Sequence, residues 1–257
     1  MGERTSYTPG TFSWTDLATT DQDAAKAFYS GLFGWQAQDN PVGDGIVYSM
    51  MSIGGKDVAA ISPQPQAQRE AGAPPAWNSY VTVQSADRAL ERAKQLGATV
   101  HAPAFDVLDA GRMGVLQDPQ GAFLLVWEAK SNVGASLVNA PGALAWNELA
   151  SPDLDASAGF YTELFEWTFE PMAEMPYLVI KNRDGHGNGG IRPRTDTEPS
   201  YWLVYFGSDD LDNDLAKAGE LGGRKLVEPM QIGPGQIAVI QDPQGAVFAL
   251  YSGRLDD

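Results

Sequence analysis

The chain has 257 residues, is 43% hydrophobic and 19% charged, and sets 17 Lys+Arg against 33 Asp+Glu for a formal net charge of −16. That charge repels polyanions and anionic lipid surfaces, which excludes nucleic-acid and membrane partners. The lack of cysteine excludes a disulfide framework, a thiolate metal site and a cysteine nucleophile.

In chain order, residues 10–17 alternate as a strand, with Phe12, Trp14 and Asp16 on one face. A helix follows, with Asp21 as its N-cap, Asp23 in its first turn, Ala24, Phe28 and Leu32 on one stripe and Gly34 as its stop. Strands over 46–53 and 58–61 are joined at Gly54-Gly55, and the proline-rich stretch 62–76 reads as a linker. The pattern restarts with a strand over 77–83, a helix over 85–96 ended by Gly97, and strands over 99–105, 112–117 and 123–128. Asp118-Pro119-Gln120-Gly121 is a turn that makes a hairpin of the last two. After a small, polar join come a strand over 143–149, a helix over 153–164 and strands near 176–181, 188–192 and 201–206. A helix over 209–221 and strands near 225–228, 236–241 and 246–251 complete the chain. No window approaches 18 uninterrupted apolar residues and no apolar leader follows Met1, so a soluble, cytoplasmic protein is expected.

The second half repeats the first. Trp14-Thr15-Asp16-Leu17 returns as Trp146-Asn147-Glu148-Leu149, and the Phe28-Tyr29, Phe33, Trp35 set returns as Phe160-Tyr161, Phe165, Trp167, both 132 residues on. Residues 117–122 return letter for letter at 241–246, now 124 residues on, so the second copy has lost loop rather than core. The fold class is α+β: four βαβββ units paired into two tandem domains, 8–130 and 142–254, separated by a linker over 131–141.

Paired βαβββ units with Phe-Tyr on the first helix and Asp-Pro-x-Gly before the last strand resemble the vicinal oxygen chelate superfamily of glyoxalase I, bleomycin-resistance proteins and extradiol dioxygenases. The runs Trp-x-Asp-Leu, Phe-Tyr-x-x-Leu-Phe-Gly-Trp, Asp-Ala-Gly-Arg-Met and Asp-Pro-Gln-Gly-Ala are similar to the tandem glyoxalase-like proteins of actinobacteria, some of which belong to polyketide antibiotic pathways. The resemblance implies two cup-shaped sheets, with metal ligands projecting from the first and last strands of the units. Counting back seven residues from Asp21, Asp87, Asp153 and Asp212 puts Trp14, Tyr80, Trp146 and Tyr205 at the first-strand positions. Leu125 and Ala249, four after the turn glycines, take the last-strand positions. A divalent ion needs nitrogen, oxygen or sulfur donors, and Trp, Leu and Ala offer none while Tyr is a poor one. His101 and His186 fall on an outer strand and in a Gly-rich hairpin. No metal site and no cofactor are expected, and no nucleotide cradle or hydrolase elbow is visible.

The cups carry rings instead. Trp14, Tyr48, Tyr80 and Trp127 face one, and Trp146, Tyr177, Tyr205 and Tyr251 the other, a lining suited to a flat apolar ligand; Met50, Met113 and Met175 add adaptable surface. Asp16 and Glu148 share the faces of the tryptophans and are the catalytic candidates, each open to a purely structural reading as a satisfied core acid. The leading expectation is a metal-free binder of an aromatic or hydrophobic small molecule in secondary metabolism. It would use the first cup, with Asp16 and Arg112 fixing the ligand's polar end. A second reading is a cofactor-independent isomerase, cyclase or lyase using Asp16 or Glu148 as acid/base, and a third, needing ligands the sequence lacks, is a metal-dependent glyoxalase or dioxygenase. Fusion of two domains allows a monomer, with a homodimer equally open.

Overall fold

A computed structural model describes residues 2–43, 45–173, 175–233 and 235–254. After β1 (Gly2–Glu3), the first unit comprises β2 (Phe12–Thr19), α1 (Gln22–Phe33), β3 (Gln36–Gly43), β4 (Ile46–Ile53) and β5 (Lys56–Pro63). A short α2 (Gln66–Glu70) leads to the second: β6 (Ala76–Thr82), α3 (Ala86–Gln95), β7 (Thr99–Val107), β8 (Gly111–Gln117) and β9 (Phe123–Ala129). Past β10 (Leu137–Val138), the third unit comprises β11 (Leu144–Ser151), α4 (Leu154–Phe165), β12 (Thr168–Pro171), β13 (Leu178–Lys181) and β14 (Gly187–Pro193). The fourth is β15 (Tyr201–Gly207), α5 (Leu211–Glu220), β16 (Arg224–Ile232), β17 (Gly235–Gln241) and β18 (Val247–Ser252).

Each half builds one curled eight-stranded mixed sheet, ordered β3-β4-β5-β2-β6-β9-β8-β7 and β12-β13-β14-β11-β15-β18-β17-β16. The first strands of paired units lie side by side and antiparallel at the centre, with Trp14 opposite Tyr80 and Trp146 opposite Tyr205. Parallel pairing then brings β9 beside β6 and β18 beside β15. The helices start where the sequence puts caps: the side chains of Asp21, Ser85, Asp153 and Asp210 accept a first-turn N–H. Asp87 and Asp212, used above as counting marks, lie inside the first turn rather than at the cap.

The two halves meet across a seam built from the repeated motifs. Tyr29 on α1 donates to Asp242 Oδ2 at 3.0 Å, accepts from Trp77 Nε1 at 2.9 Å, and lies beside Trp35, whose Nε1 donates to Gly142 O at 2.8 Å. The mirror set is Tyr161 to Asp118 Oδ2 at 2.7 Å, Trp202 Nε1 to Tyr161 at 3.2 Å and Trp167 Nε1 to Gly10 O at 2.6 Å. Each Asp also takes backbone N–H groups of its own turn on Oδ1, so Asp-Pro-Gln-Gly is at once a hairpin turn and a lock onto the other half. Burial of Trp167, Tyr29, Tyr161, Phe206 and Phe248 makes the seam the heart of the core.

Five elements, β1, β3, α2, β10 and β12, depart from the sequence reading. β3 and β12 were not expected: both are edge strands, β3 exposed over almost its whole length, so neither carries an alternating signal. α2 interrupts the expected linker over 62–76. β10, within 131–141, pairs antiparallel with β1 and ties the N-terminal segment to the join. Among the described residues no helix is long and apolar enough to cross a membrane.

Candidate functional site

Both cups are floored by the same hydrogen-bonded quartet. In the first, Trp14 Nε1 donates to Tyr48 Oη at 3.0 Å, and Tyr48 and Tyr80 donate to Asp16 Oδ2 at 3.0 and 2.7 Å. Asn78 Nδ2 completes the set on Oδ1 at 2.7 Å. In the second, Trp146 Nε1 donates to Tyr177 Oη at 3.0 Å, and the Tyr177 and Tyr205 hydroxyls bond Glu148. Arg192 Nε takes the place of the asparagine, 2.9 Å from Glu148 Oε1. Burial pushes the tyrosine hydroxyls of both quartets above their ordinary range, which keeps them protonated and donating. Burial likewise raises both carboxyls, against the opposing pull of their hydrogen bonds and, for Glu148, of Arg192.

The cups differ in what surrounds the quartet. In the first, Trp14, Tyr80, Leu125 and Trp127 are buried in one large cluster that Tyr48, Met50 and Met113 pack against. Trp127 is held edge-on by Gly111 and donates to Asn132 O at 2.9 Å, so the join following β9 closes over it. In the second, Trp146, Tyr177 and Tyr251 are only half-buried, and a cavity of about 850 Å³ opens over them. Glu148 and Tyr205 line its floor, and Met172, Met175, Ile232 and Ile237 contribute apolar walls. Tyr7 and Phe12 reach across from the first half.

Gly190 shows how closely the second floor is fitted. A Cβ there would lie 2.0 Å from Tyr177 Oη, so only glycine lets the phenol reach Glu148.

Two expectations about the first cup change. The rings the sequence groups around Asp16 do come together, but as packed core, while the roomy cavity belongs to Trp146, Tyr177, Tyr205 and Glu148. Arg112 does not join Asp16: it lies on the helix side of β8, bonded to Asp87 at 2.8 and 3.0 Å and to Ala104 O, with Asp106 nearby. The alternation of β8 explains this, since Met113, opposite Trp127, takes the cup face and its neighbour must take the other.

The sequence reading missed Arg192, Glu198 and Tyr201. Arg192 also grips Glu198 through both terminal nitrogens, and Tyr201 donates to Glu198 at 2.9 Å. Arg192 holds the Glu198 carboxyl down at about 2. The available signal was an arginine two residues after Gly190, the residue that faces Glu148 across the β11–β14 pair. His186, placed by sequence at a hairpin tip, stands at the cavity's rim.

The family model for the glyoxalase/bleomycin resistance protein/dioxygenase superfamily matches residues 11–125, and a glyoxalase-like domain model matches 146–251. The chain belongs to this superfamily. This superfamily member is 44% identical, over 97% of both chains, to CFP32 of Mycobacterium tuberculosis, which carries a provisional glyoxylase name. It is 31% identical, over 97% of its length and 96% of the relative's, to the anthracycline biosynthesis protein DauV of a Streptomyces species. A Mn(II)-bound glyoxalase from Novosphingobium aromaticivorans superposes with a TM-score of 0.68 at 16% identity, covering 96% of this chain and 83% of its own, a likeness of fold.

The superfamily's metal positions can be tested against the register. Trp14, Tyr80 and Leu125 are direct neighbours across β2, β6 and β9, as are Trp146, Tyr205 and Ala249 across β11, β15 and β18. The three positions converge in each cup, but the side chains there do not fit a divalent ion: only the tyrosines bear an oxygen, and burial keeps it protonated. Among the described residues no three His, Cys, Asp or Glu side chains gather to hold a metal.

Proposed function

We propose that this glyoxalase-superfamily member binds a flat aromatic or hydrophobic small molecule in its second cup, without a metal at the superfamily positions, as a cytosolic protein of secondary metabolism. The observation that carries this reading is the cavity of about 850 Å³, whose half-buried rings Trp146, Tyr177 and Tyr251 stand over a single carboxylate. Its size suits a drug-sized ligand, and its mix of aromatic walls with a few convergent polar groups is that of a small-molecule site. Relatedness to an anthracycline biosynthesis protein supports a polycyclic ligand. The seam within the chain supplies the pairing of two domains, so a monomer suffices for the site.

Native mass spectrometry of protein purified without chelators, alongside tryptophan-fluorescence titration with 2-naphthylmethanol, tests the proposal. Expected are no stoichiometric divalent ion and saturable quenching that Trp146→Ala removes while circular dichroism is unchanged. One divalent ion per chain, or quenching intact in Trp146→Ala, overturns it.

One observation favours a second reading, catalysis without a metal. Glu148 is buried at the cavity floor, where burial raises its carboxyl above the ordinary range, the direction that suits an acid/base group. On that reading Glu148→Gln loses turnover far more than affinity.

A further inference from the structure

The charges beneath the second cup do not cancel. Arg192 is a single cation shared by two carboxylates, Glu148 and Glu198, and it grips Glu198 through two nitrogens and Glu148 through one. Glu198 is bonded further by Tyr201 and by the Thr195 N–H, so its charge is met from several sides. The remaining negative charge falls to Glu148, which is 6% exposed and faces the cavity, whereas Arg192, Glu198 and Tyr201 lie behind it and do not line the space. A carboxylate offers about four acceptor sites, of which Arg192 takes one at 2.9 Å, with the Tyr177 and Tyr205 hydroxyls beside it.

The first cup supplies the contrast: there Asp16 meets only neutral donors, among rings that belong to or pack against the buried cluster. Trp146, Tyr177, Tyr205 and Tyr251 line the same cavity as Glu148, and the electron-rich faces of such rings attract a cation. The chain's net charge of −16 adds attraction at long range.

Resting on the binding role of the second cup, we infer that the ligand it selects is a cationic aromatic or hydrophobic amine, whose ammonium group sits against Glu148 inside the ring wall. The ammonium bonds the cavity-facing carboxylate of Glu148 and neutralises the charge that Arg192 leaves over. Arg4, Arg254 and Asp184 also line the cavity, but the ion pair of Glu148 is with Arg192. At the floor an anionic analogue of the same shape therefore meets the charge of Glu148 and is repelled, and a neutral one gains only the apolar contact.

Three probes with one ring system separate these terms: 2-naphthylmethylamine, 2-naphthylmethanol and 2-naphthoate, titrated by calorimetry into the full-length protein near neutral pH. The expected order is amine, then alcohol, then carboxylate, with the amine at least about tenfold tighter than the alcohol, the equivalent of about 1.4 kcal/mol. Glu148→Gln is expected to bring amine and alcohol to equal affinity, read as the ratio of the two within the variant. Equal binding of amine and alcohol by the wild type, or a preference unchanged in Glu148→Gln, overturns the inference and leaves the cup a site for uncharged aromatics. Failure of all three probes to bind overturns the binding reading itself. The wild-type series decides the question even where the variant does not fold.

Discussion

Asp16 and Glu148 hold the same place in the two halves, yet one carboxyl ends in packed core and the other at a cavity floor. The difference is set by neighbours the repeat does not preserve: Asn78 beside Asp16 becomes Leu203 in the second copy, and Arg192 enters from β14 to serve Glu148. Asp16 has no cation in its hydrogen-bond set, and burial holds its carboxyl above the 3.8 of an unfolded aspartate. Between those two values the folded chain binds more protons than the unfolded one. That group's contribution to stability therefore falls as pH rises through the window and is fully lost above it. Asp16→Asn cannot titrate. The stability of wild type relative to Asp16→Asn, read from urea unfolding between about pH 4 and about pH 8, is expected to decline with rising pH. A relative stability that grows with pH would sink the assignment of Asp16 as an acid held against its charged form. At this scale the sequence revealed the quartet members but not their setting. Trp14, Tyr48, Tyr80 and their counterparts followed from alternation and duplication, whereas Arg192, the partner of Glu148, came from a strand no local pattern ties to it.

Elements were legible where burial imposes a period and invisible where it does not. The central strands β2, β6, β11 and β15 are buried almost throughout and announced themselves by aromatic and β-branched runs. The edge strand β3, with the sequence QAQDNPVG, is solvated on both faces and includes Pro41, so it reads as loop. β16 was found but cut short, because its exposed Leu226, Val227 and Met230 follow no alternation of burial. The same physics orders local stability, since an edge amide opens without breaking the core. Amides of β3, β12 and β16 are expected to exchange with solvent at least tenfold faster than those of β2 and β11, measured by native-state hydrogen exchange. Equal protection across the sheets would show that the edges are covered in solution and that an edge of one copy pairs with another chain.

On the scale of the whole molecule, duplication was the most legible feature, but its consequence was not. The repeated Phe-Tyr, Trp and Asp-Pro-Gln-Gly motifs read as marks of two separate domains, whereas each Tyr–Asp bond joins a helix of one half to a turn of the other. A sequence repeat shows that two segments are alike without showing that they exchange contacts. Because Tyr29, Tyr161, Trp35 and Trp167 are all buried at the seam, neither half retains a complete core once they part. Differential scanning calorimetry is therefore expected to show one transition, with equal calorimetric and van't Hoff enthalpies. Tyr161→Phe leaves Asp118 and Trp202 each short of a buried partner and is expected to cost about 1–3 kcal/mol. For a chain of this length that lowers the single transition by about 2–4 °C per kcal/mol. Tyr29→Phe, at the other end of the seam, should act the same way, and the double variant should be nearly additive because the two bonds share no partner. Two resolved transitions, with only one moving in Tyr161→Phe, would mean that the halves fold independently and that the seam is a contact rather than a common core.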